Sequence, residues 1–332
     1  MNLKNFNTLL PFDDLLTRVR VRAATALPDR VVSVSDLRMN LAGELVLPGD
    51  VIYRLNPHAL RALASLLGLR WDRWFATATP AERAEEVNRR FTRTPGERKI
   101  RAWACEDGSA HGVARALLSP SFTPIDDVRI FERADVLLRG LVTEYRYALT
   151  ETDQGTFYTA VHERDFDVDG AGDLLRPGFV LRNSEVGAGA LTLDDHWLRL
   201  VCANGLLVQV GQKRALYRTH RAIDDNVLAA ALLIAIGSLP ERWKTSFGWL
   251  QAARKLDVAH PDVAVEAILG DSAAVPRALR EEAKRVVLRD GDRTRYGVVQ
   301  AITYVAHAVN TDPEVRFTME RLAGAYLAAT LV

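Results

Sequence analysis

Cysteine is nearly absent. Cys105 and Cys202 are the only two in 332 residues, they lie far apart and no CxxC spacing occurs. That excludes a disulfide framework and a cysteine-rich zinc site, and it fits a reducing compartment, so the expected location is the cytoplasm. Long apolar runs are missing too. The most apolar stretch, VLAAALLIAIG at 227–237, is about half of the roughly 20 residues that span a bilayer, and the opening MNLKNFNTLLPFDDLL holds no apolar signal region. No membrane partner is expected. Charge of one sign is also lacking: 43 Lys plus Arg face 42 Asp plus Glu, a net charge of +1. A basic surface can then arise only where charges segregate locally. Internal repeats and low-complexity linkers are absent as well.

What is present is a chain with 48% hydrophobic residues, enough for a sizeable core. Residues 1–55 carry short mixed segments (RVVSVSDLRMN, GELVLPGDVIYRL) that read as a β-rich entry. Asn56-Pro57 starts a helix with an apolar stripe at Leu60, Leu63, Leu66 and Leu67 that stops at Gly68. Thr79, Pro80 and Glu82 open a second helix. Between 98 and 215 the period falls to two, in RKIRAWAC, HGVARALLS, EYRYALTE, GTFYTAVHE, GFVLRNSEV, LTLDDHWLRLVCA and GLLVQV. Beyond 222 the chain turns Ala- and Leu-rich, with helices expected near 224–237, 239–255, 261–269, 275–288 and 294–327. The fold class is therefore α+β: a central, mostly antiparallel sheet with helices packed on it and a helical C-terminal region. Divisions are expected at 1–55, 56–222 and 223–332 within one body.

No motif for covalent chemistry stands out. The seven histidines form neither HxH nor HExxH, and GxSxG and GxxxxGK[ST] are missing. Asp194-Asp195-His196 places Asp194 and His196 on one face of a strand and Asp195 on the other; a solvated turn is the expectation there. Cys202, in an apolar run without a flanking base, reads as a buried inert thiol. DFDVDGAGDLLR imitates a calcium loop with Asp165, Asp167, Asp169, Gly170 and Asp173, yet Arg176 stands where a bidentate Glu is required. It reads as an acidic surface turn. GAG at 187–189 lacks the strand and helix of a dinucleotide loop. No catalytic residue, metal or cofactor is expected.

Ordered along the chain, ARALLSPSFTPIDD (114–127), SEVGAGALTL (184–193), RLVCANGLLV (199–208) and YGVVQAITYVAHAVN (296–310) resemble the phage- and plasmid-encoded family filed as domain of unknown function 932. The resemblance covers roughly residues 50–325. Its most specific parts are Ser184-Glu185-Val186-Gly187 and the Arg-Leu-Val-Cys-x-Asn-Gly segment. It implies a mobile-element setting, and a fold-level analogy links it to phage single-strand annealing proteins without transferring any site.

Two basic segments carry the functional expectation. Residues 88–101 hold six Lys or Arg and one Glu, and 199–221 hold five basic residues and no acid. Were both to flank one sheet, Arg98, Lys99, Arg101, Arg182, Arg199, Lys213, Arg214, Arg218 and Arg221 would track phosphates, with Trp71, Trp74, Trp103, Tyr145, Tyr147 or Tyr217 as stacking faces. Internal pairing of Arg182 and Arg199 with Glu185, Asp194 or Asp195 is the alternative. Arg214, Arg218 and Arg221 share a face on a helix, and Arg214 and Arg218 share one on a strand. Ser184–Gly187 reads as a strand end with a glycine-permitted turn, and Asn204-Gly205 as a hairpin turn. The expected function is single-stranded DNA binding, with strand annealing by a homo-oligomer. The alternative is a non-catalytic protein-interaction or host-takeover role.

Overall fold

The computed structural model describes residues 9–105, 108, 110–170, 172–200, 205–208, 214–308 and 311–329, the side chains at 72, 73 and 308 aside. Cys202, Lys213 and Asn204 lie outside the described residues. The fold is α+β, with two sheets rather than a single central one.

The described part opens with a helix that the β-rich reading omits, α1 (Phe12–Ala24), which buries Phe12, Leu15, Leu16 and Val19 at helical spacing. Then come β1 (Arg30–Ser33), β2 (Arg38–Met39), β3 (Leu45–Leu47) and β4 (Val51–Leu55), followed by α2 (Pro57–Leu66) and α3 (Pro80–Phe91). Both helices start as their sequences dictate. The Asn56 side chain accepts from the Ala59 amide at 2.7 Å, and Thr79 and Glu82 form a reciprocal capping box. With β5 (Glu97–Trp103) and β6 (Gly112–Leu118) the strands build a sheet in the order β1-β5-β6-β4-β3-β2, antiparallel except for the β4–β6 pair. Leu63, Val87 and Phe91 of the helices meet Leu45, Ile100 and Ala114 of the strands in a core of their own. Residue 55, an expected boundary, thus falls inside this sheet.

A 16-residue helix, α4 (Asp127–Val142), leads to the second sheet. Its strands are β7 (Tyr145–Glu151), β8 (Thr156–His162), β9 (Phe166–Asp167), β10 (Leu174–Asn183), β11 (Leu191–Arg199), β12 (Gly205–Val208) and β13 (Leu216–Arg218). The path runs β12-β11-β10-β8-β7, all antiparallel, with β13 on β11 and β9 on β10. The helical region follows as α5 (Asp225–Gly237), α6 (Leu239–Ala253), α7 (Pro261–Leu269), α8 (Arg277–Asp290), α9 (Arg295–Ala308) and α10 (Pro313–Ala328). The expected helix over 294–327 is two helices. Pro313 stands at the first position of the second helix, which suits its missing amide donor, and Asp312 caps it by accepting from the Glu314 amide at 2.8 Å.

Both faces of the second sheet are covered, which is why its strands are apolar at odd and even positions alike. Phe179 and Leu181 join the large core with α1, α4 and α6, while Phe157, Val180 and Leu207 meet Phe317 of α10 on the other face. Gly324 sets how closely α10 approaches: a methyl there would overlap the Leu207 carbonyl of β12. The opposite edge, β7, is closed by Leu10, whose amide donates to the Tyr147 carbonyl at 2.8 Å and whose carbonyl accepts from the Tyr147 amide at 2.9 Å. Among the described residues, no helix is long and apolar enough to cross a membrane.

A candidate functional site at the seam between the sheets

The two sheets meet along β5, β6, the start of α4 and the turn after β10, and charged side chains are buried there. The Ser-Glu-Val-Gly segment builds this seam. Ser184 Oγ donates to the Gln154 carbonyl at 2.5 Å and accepts from the Ala188 amide at 2.9 Å, which fixes the turn. Gly187 sits at φ +79°, as the expected glycine turn requires, and a methyl there would press on the Leu118 side chain. Val186 is buried. Glu185 is thereby held in the seam, with its carboxylate on Arg115 and on the Asp127 amide at 2.8 Å, and its carbonyl taking Arg101 Nη1 at 2.9 Å. The amide it caps is among the first of α4, where an anion also meets the positive end of the helix dipole.

Around Glu185, Arg101 Nη2 donates to Asp126 at 2.8 Å and its Nε to Asp29 at 3.1 Å. Arg22 reaches Glu151 at 2.6 Å and Thr156 at 2.7 Å. Two guanidiniums lie against the Trp103 ring, Arg115 at 4.0 Å and Arg22 at 5.0 Å from its centroid. Burial and the neighbouring Glu185 charge push Asp127 up to about 6. Burial acts in the same direction on Glu185, but the Arg115 charge, the Asp127 amide and Arg22 outweigh it and hold that carboxyl below its usual range. A cleft of about 100 Å³ enters this cluster. It shares Arg22 and Trp103 with an open groove of about 670 Å³ between α1 and the β7–β8 turn.

The predicted basic residues divide into three groups. Arg101 is 8% exposed and fully engaged in the seam, so it faces no solvent-borne phosphate. Arg182 is paired with Glu314 of α10 at 2.9 Å, and Arg199 with Asp173 at 2.6 Å. Both are internally paired, though not with the carboxylates expected. Arg214 lies 3.5 Å from buried Asp194. Arg98 donates to the Glu97 carbonyl and, one residue from Lys99, occupies the other face of β5. The remainder converge. Lys99 Nζ donates to the Phe122 carbonyl at 2.6 Å, and His220 stacks on the Phe122 ring at 5.3 Å while its Nδ1 accepts from the Ile125 amide at 3.0 Å. Burial and Arg101 push His220 down to about 4, so it is neutral at pH 7. Arg218, Arg221 and Tyr217 beside it are exposed. Neither Arg218 nor Arg221 has a carboxylate partner among the described residues. The two basic segments, in different sheets, therefore meet at the 119–126 loop.

Of the proposed stacking faces, Tyr145 and Tyr147 are core residues, Trp103 already carries Arg115 and Arg22, Trp71 packs on the first core, and Trp74 and Tyr217 are exposed at 40% and 56%. The acidic loop is nucleated by Asp167, whose Oδ1 accepts from the Gly170 amide and Oδ2 from the Gly172 amide; Asp165 pairs with Arg176. Asp173 is buried with Arg199, Arg254 and the Tyr296 hydroxyl.

The Asp194-Asp195-His196 expectation needs correction: the three lie mid-strand in β11, at 0%, 0% and 2% exposure, not in a solvated turn. Their alternation is as read. Asp195 faces Arg242 of α6 at 2.7 Å, and Asp194 and His196 take the other side. His196 lines a small cavity with His307 and Glu320, themselves 2.5 Å apart. Sequence reasoning missed this pair because α9 and α10 were read as one helix.

No curated protein matches the chain, and no solved structure matches it. The family model described as "Domain of unknown function (DUF932)" matches residues 115–321, from Arg115 in β6 into α10. That span takes in the second sheet and Glu185, and leaves most of the first sheet, Arg22 and Arg101 outside. The chain belongs to the domain of unknown function 932 family.

Proposed function

We propose that the protein binds single-stranded nucleic acid, DNA in the first place, on the basic surface around Phe122 and His220, as a mobile-element protein that anneals strands as a homo-oligomer without bond-making chemistry. One observation carries this reading: exposed Arg218 and Arg221, with no carboxylate opposite them among the described residues, lie beside exposed Tyr217 and the Lys99–Phe122–His220 contact. Cations without a carboxylate partner beside aromatic rings suit a flexible phosphate chain whose bases can stack. The seam holds the loop that presents them. In fluorescence anisotropy with a labelled oligothymidylate, affinity should fall steeply with salt. The Arg218→Ala, Arg221→Ala double variant should flatten the log–log slope by about 1.4, at roughly 0.7 per phosphate contact on single strands, with an unchanged melting temperature. Absence of binding at low salt defeats the reading.

A second reading, a protein-interaction role, is favoured by α5. Val227, Leu233 and Ile234 are exposed at 53%, 50% and 72%, and Val136 and Leu137 of adjacent α4 at 71% and 55%. An exposed apolar face of this kind suits a protein partner or a second copy of the chain.

A further inference from the structure

A separate cavity lies at the other end of the β7–β8 hairpin, between α4, α5 and α6. Its volume is about 460 Å³, within the usual range of small-molecule sites. From Tyr145, on its wall, to Glu151, at the groove beside the seam, is six residues of strand, or about 20 Å. The two sites are thus distinct.

Its lining is aromatic. Tyr145, His162 and Trp243 meet edge to face, with ring centroids 5.5 to 6.2 Å apart, and Phe166 and Phe247 pack at 5.2 Å. These rings come from distant parts of the chain, and one helical face supplies much of the wall: Pro240, Trp243, Lys244 and Phe247 recur at helical spacing along α6. The cavity also carries two cations. Arg164 and Lys244 line it, both are exposed, and neither has a carboxylate partner among the described residues. Glu144, the one acid in the lining, lies 3.9 Å from His162. Burial pushes the Tyr145 phenol up, so it remains a donor at neutral pH.

A planar ring with an anionic group answers this arrangement: aromatic side chains for the ring, two cations for the charge. We propose that the cavity binds one nucleotide unit, its base against Tyr145, Trp243 and Phe247 and its phosphate at Arg164 and Lys244. Such a unit comes either from a free mononucleotide or from the end of a single strand.

Titration calorimetry of the full chain with dAMP and with deoxyadenosine tests this. dAMP should bind, and Arg164→Ala with Lys244→Ala should weaken it about tenfold or more while leaving the weaker binding of deoxyadenosine unchanged. Phe247→Ala should weaken both. A saturating oligothymidylate that abolishes dAMP binding identifies the strand end as the natural occupant; unaltered dAMP binding identifies the free nucleotide. Lack of dAMP binding at millimolar concentration, or affinity indifferent to both cation substitutions in a protein of unchanged melting temperature, overturns the proposal. The loss of oligonucleotide anisotropy caused by Arg218→Ala with Arg221→Ala, which leaves the cavity lining intact, reports the other surface separately, so either site can fail alone.

Discussion

Glu185→Ala is expected to lower the stability measured by urea unfolding by about 3 to 5 kcal/mol, the usual cost of stripping one partner from a buried ion pair. Arg115 is 4% exposed in its side chain, and Glu185 is its carboxylate partner. The same truncation orphans the Asp127 amide at the start of α4. The Coulomb term and the desolvation term nearly cancel when both charges are present, so most of the loss comes from the arginine left behind. A double replacement, Arg115→Met with Glu185→Leu, should therefore recover much of it. A single variant within about 1 kcal/mol of the parent protein would show that water already reaches the pair. Since Glu185 also joins the turn after β10 to β5, β6 and α4, the single variant should in addition loosen the 119–126 loop and weaken oligonucleotide binding.

Acid should unfold the protein early, and His196 is the main reason. Burial, with His307 and Arg316 nearby, pushes it down from 6.5 to about 4, against the pull of Glu320. The unfolded chain then binds a proton that the folded chain refuses. Stability is lost as pH falls from about 6.5 to about 4, on the order of 3 kcal/mol for this group at 1.36 kcal/mol per pH unit. His220, also lowered to about 4, adds in the same window. Glu320 is held below the usual carboxylate range and works in the same sense at lower pH. Asp127 opposes them: its folded value of about 6 lies above the unfolded 3.8, so the folded state takes up a proton between the two and gains stability as pH falls. Glu314, which burial raises as well, opposes them too; His196, fully buried and lowered to about 4, sets the expected direction. In urea titrations at pH 7, 5.5 and 4, about, His196→Gln should flatten the loss whatever it does to stability at pH 7. A slope equal to that of the parent protein refutes the assignment.

Much of the fold was legible where local chemistry decides it. The Asn56 and Thr79 caps and the helix over 261–269 depend on neighbours a few residues away, and they formed; the expected strands are present wherever the residues are described, though those of the second sheet are buried on both faces and do not alternate. The misses have physical causes. In α1 the sequence VRVR imitates a strand, and only the burial of Phe12, Leu15, Leu16 and Val19 settles the period. In α4 the exposed Val136 and Leu137 blur the polar face. The basic residues were legible as charges, and internal pairing was legible as an option for Arg182 and Arg199, but the partners were not, because the carboxylates lie far off in sequence: Arg182 finds Glu314, and Arg199 finds Asp173. A strand buried on both faces likewise hides Asp194, Asp195 and His196, whose polar character suggests solvent until the covering helices are in place. Tyr145 was noticed as an aromatic, while Trp243, which completes its cavity, sits in a helix that showed no functional pattern.

The closure of the second sheet bears on the order in which the chain folds. Leu10 must find Tyr147, and Gly324 must find Leu207, before either end of the sheet is shielded. Contacts over such separations form slowly, since the intervening chain must first be ordered. Until α10 docks, β12 leaves Leu207 uncovered on the face that Phe317 later seals. Synthesis from the N-terminus therefore yields the first sheet, with its local helices and its own core, well before the second is safe from pairing with another chain, and aggregation during expression should track the completion of α10 rather than the stability of the finished protein.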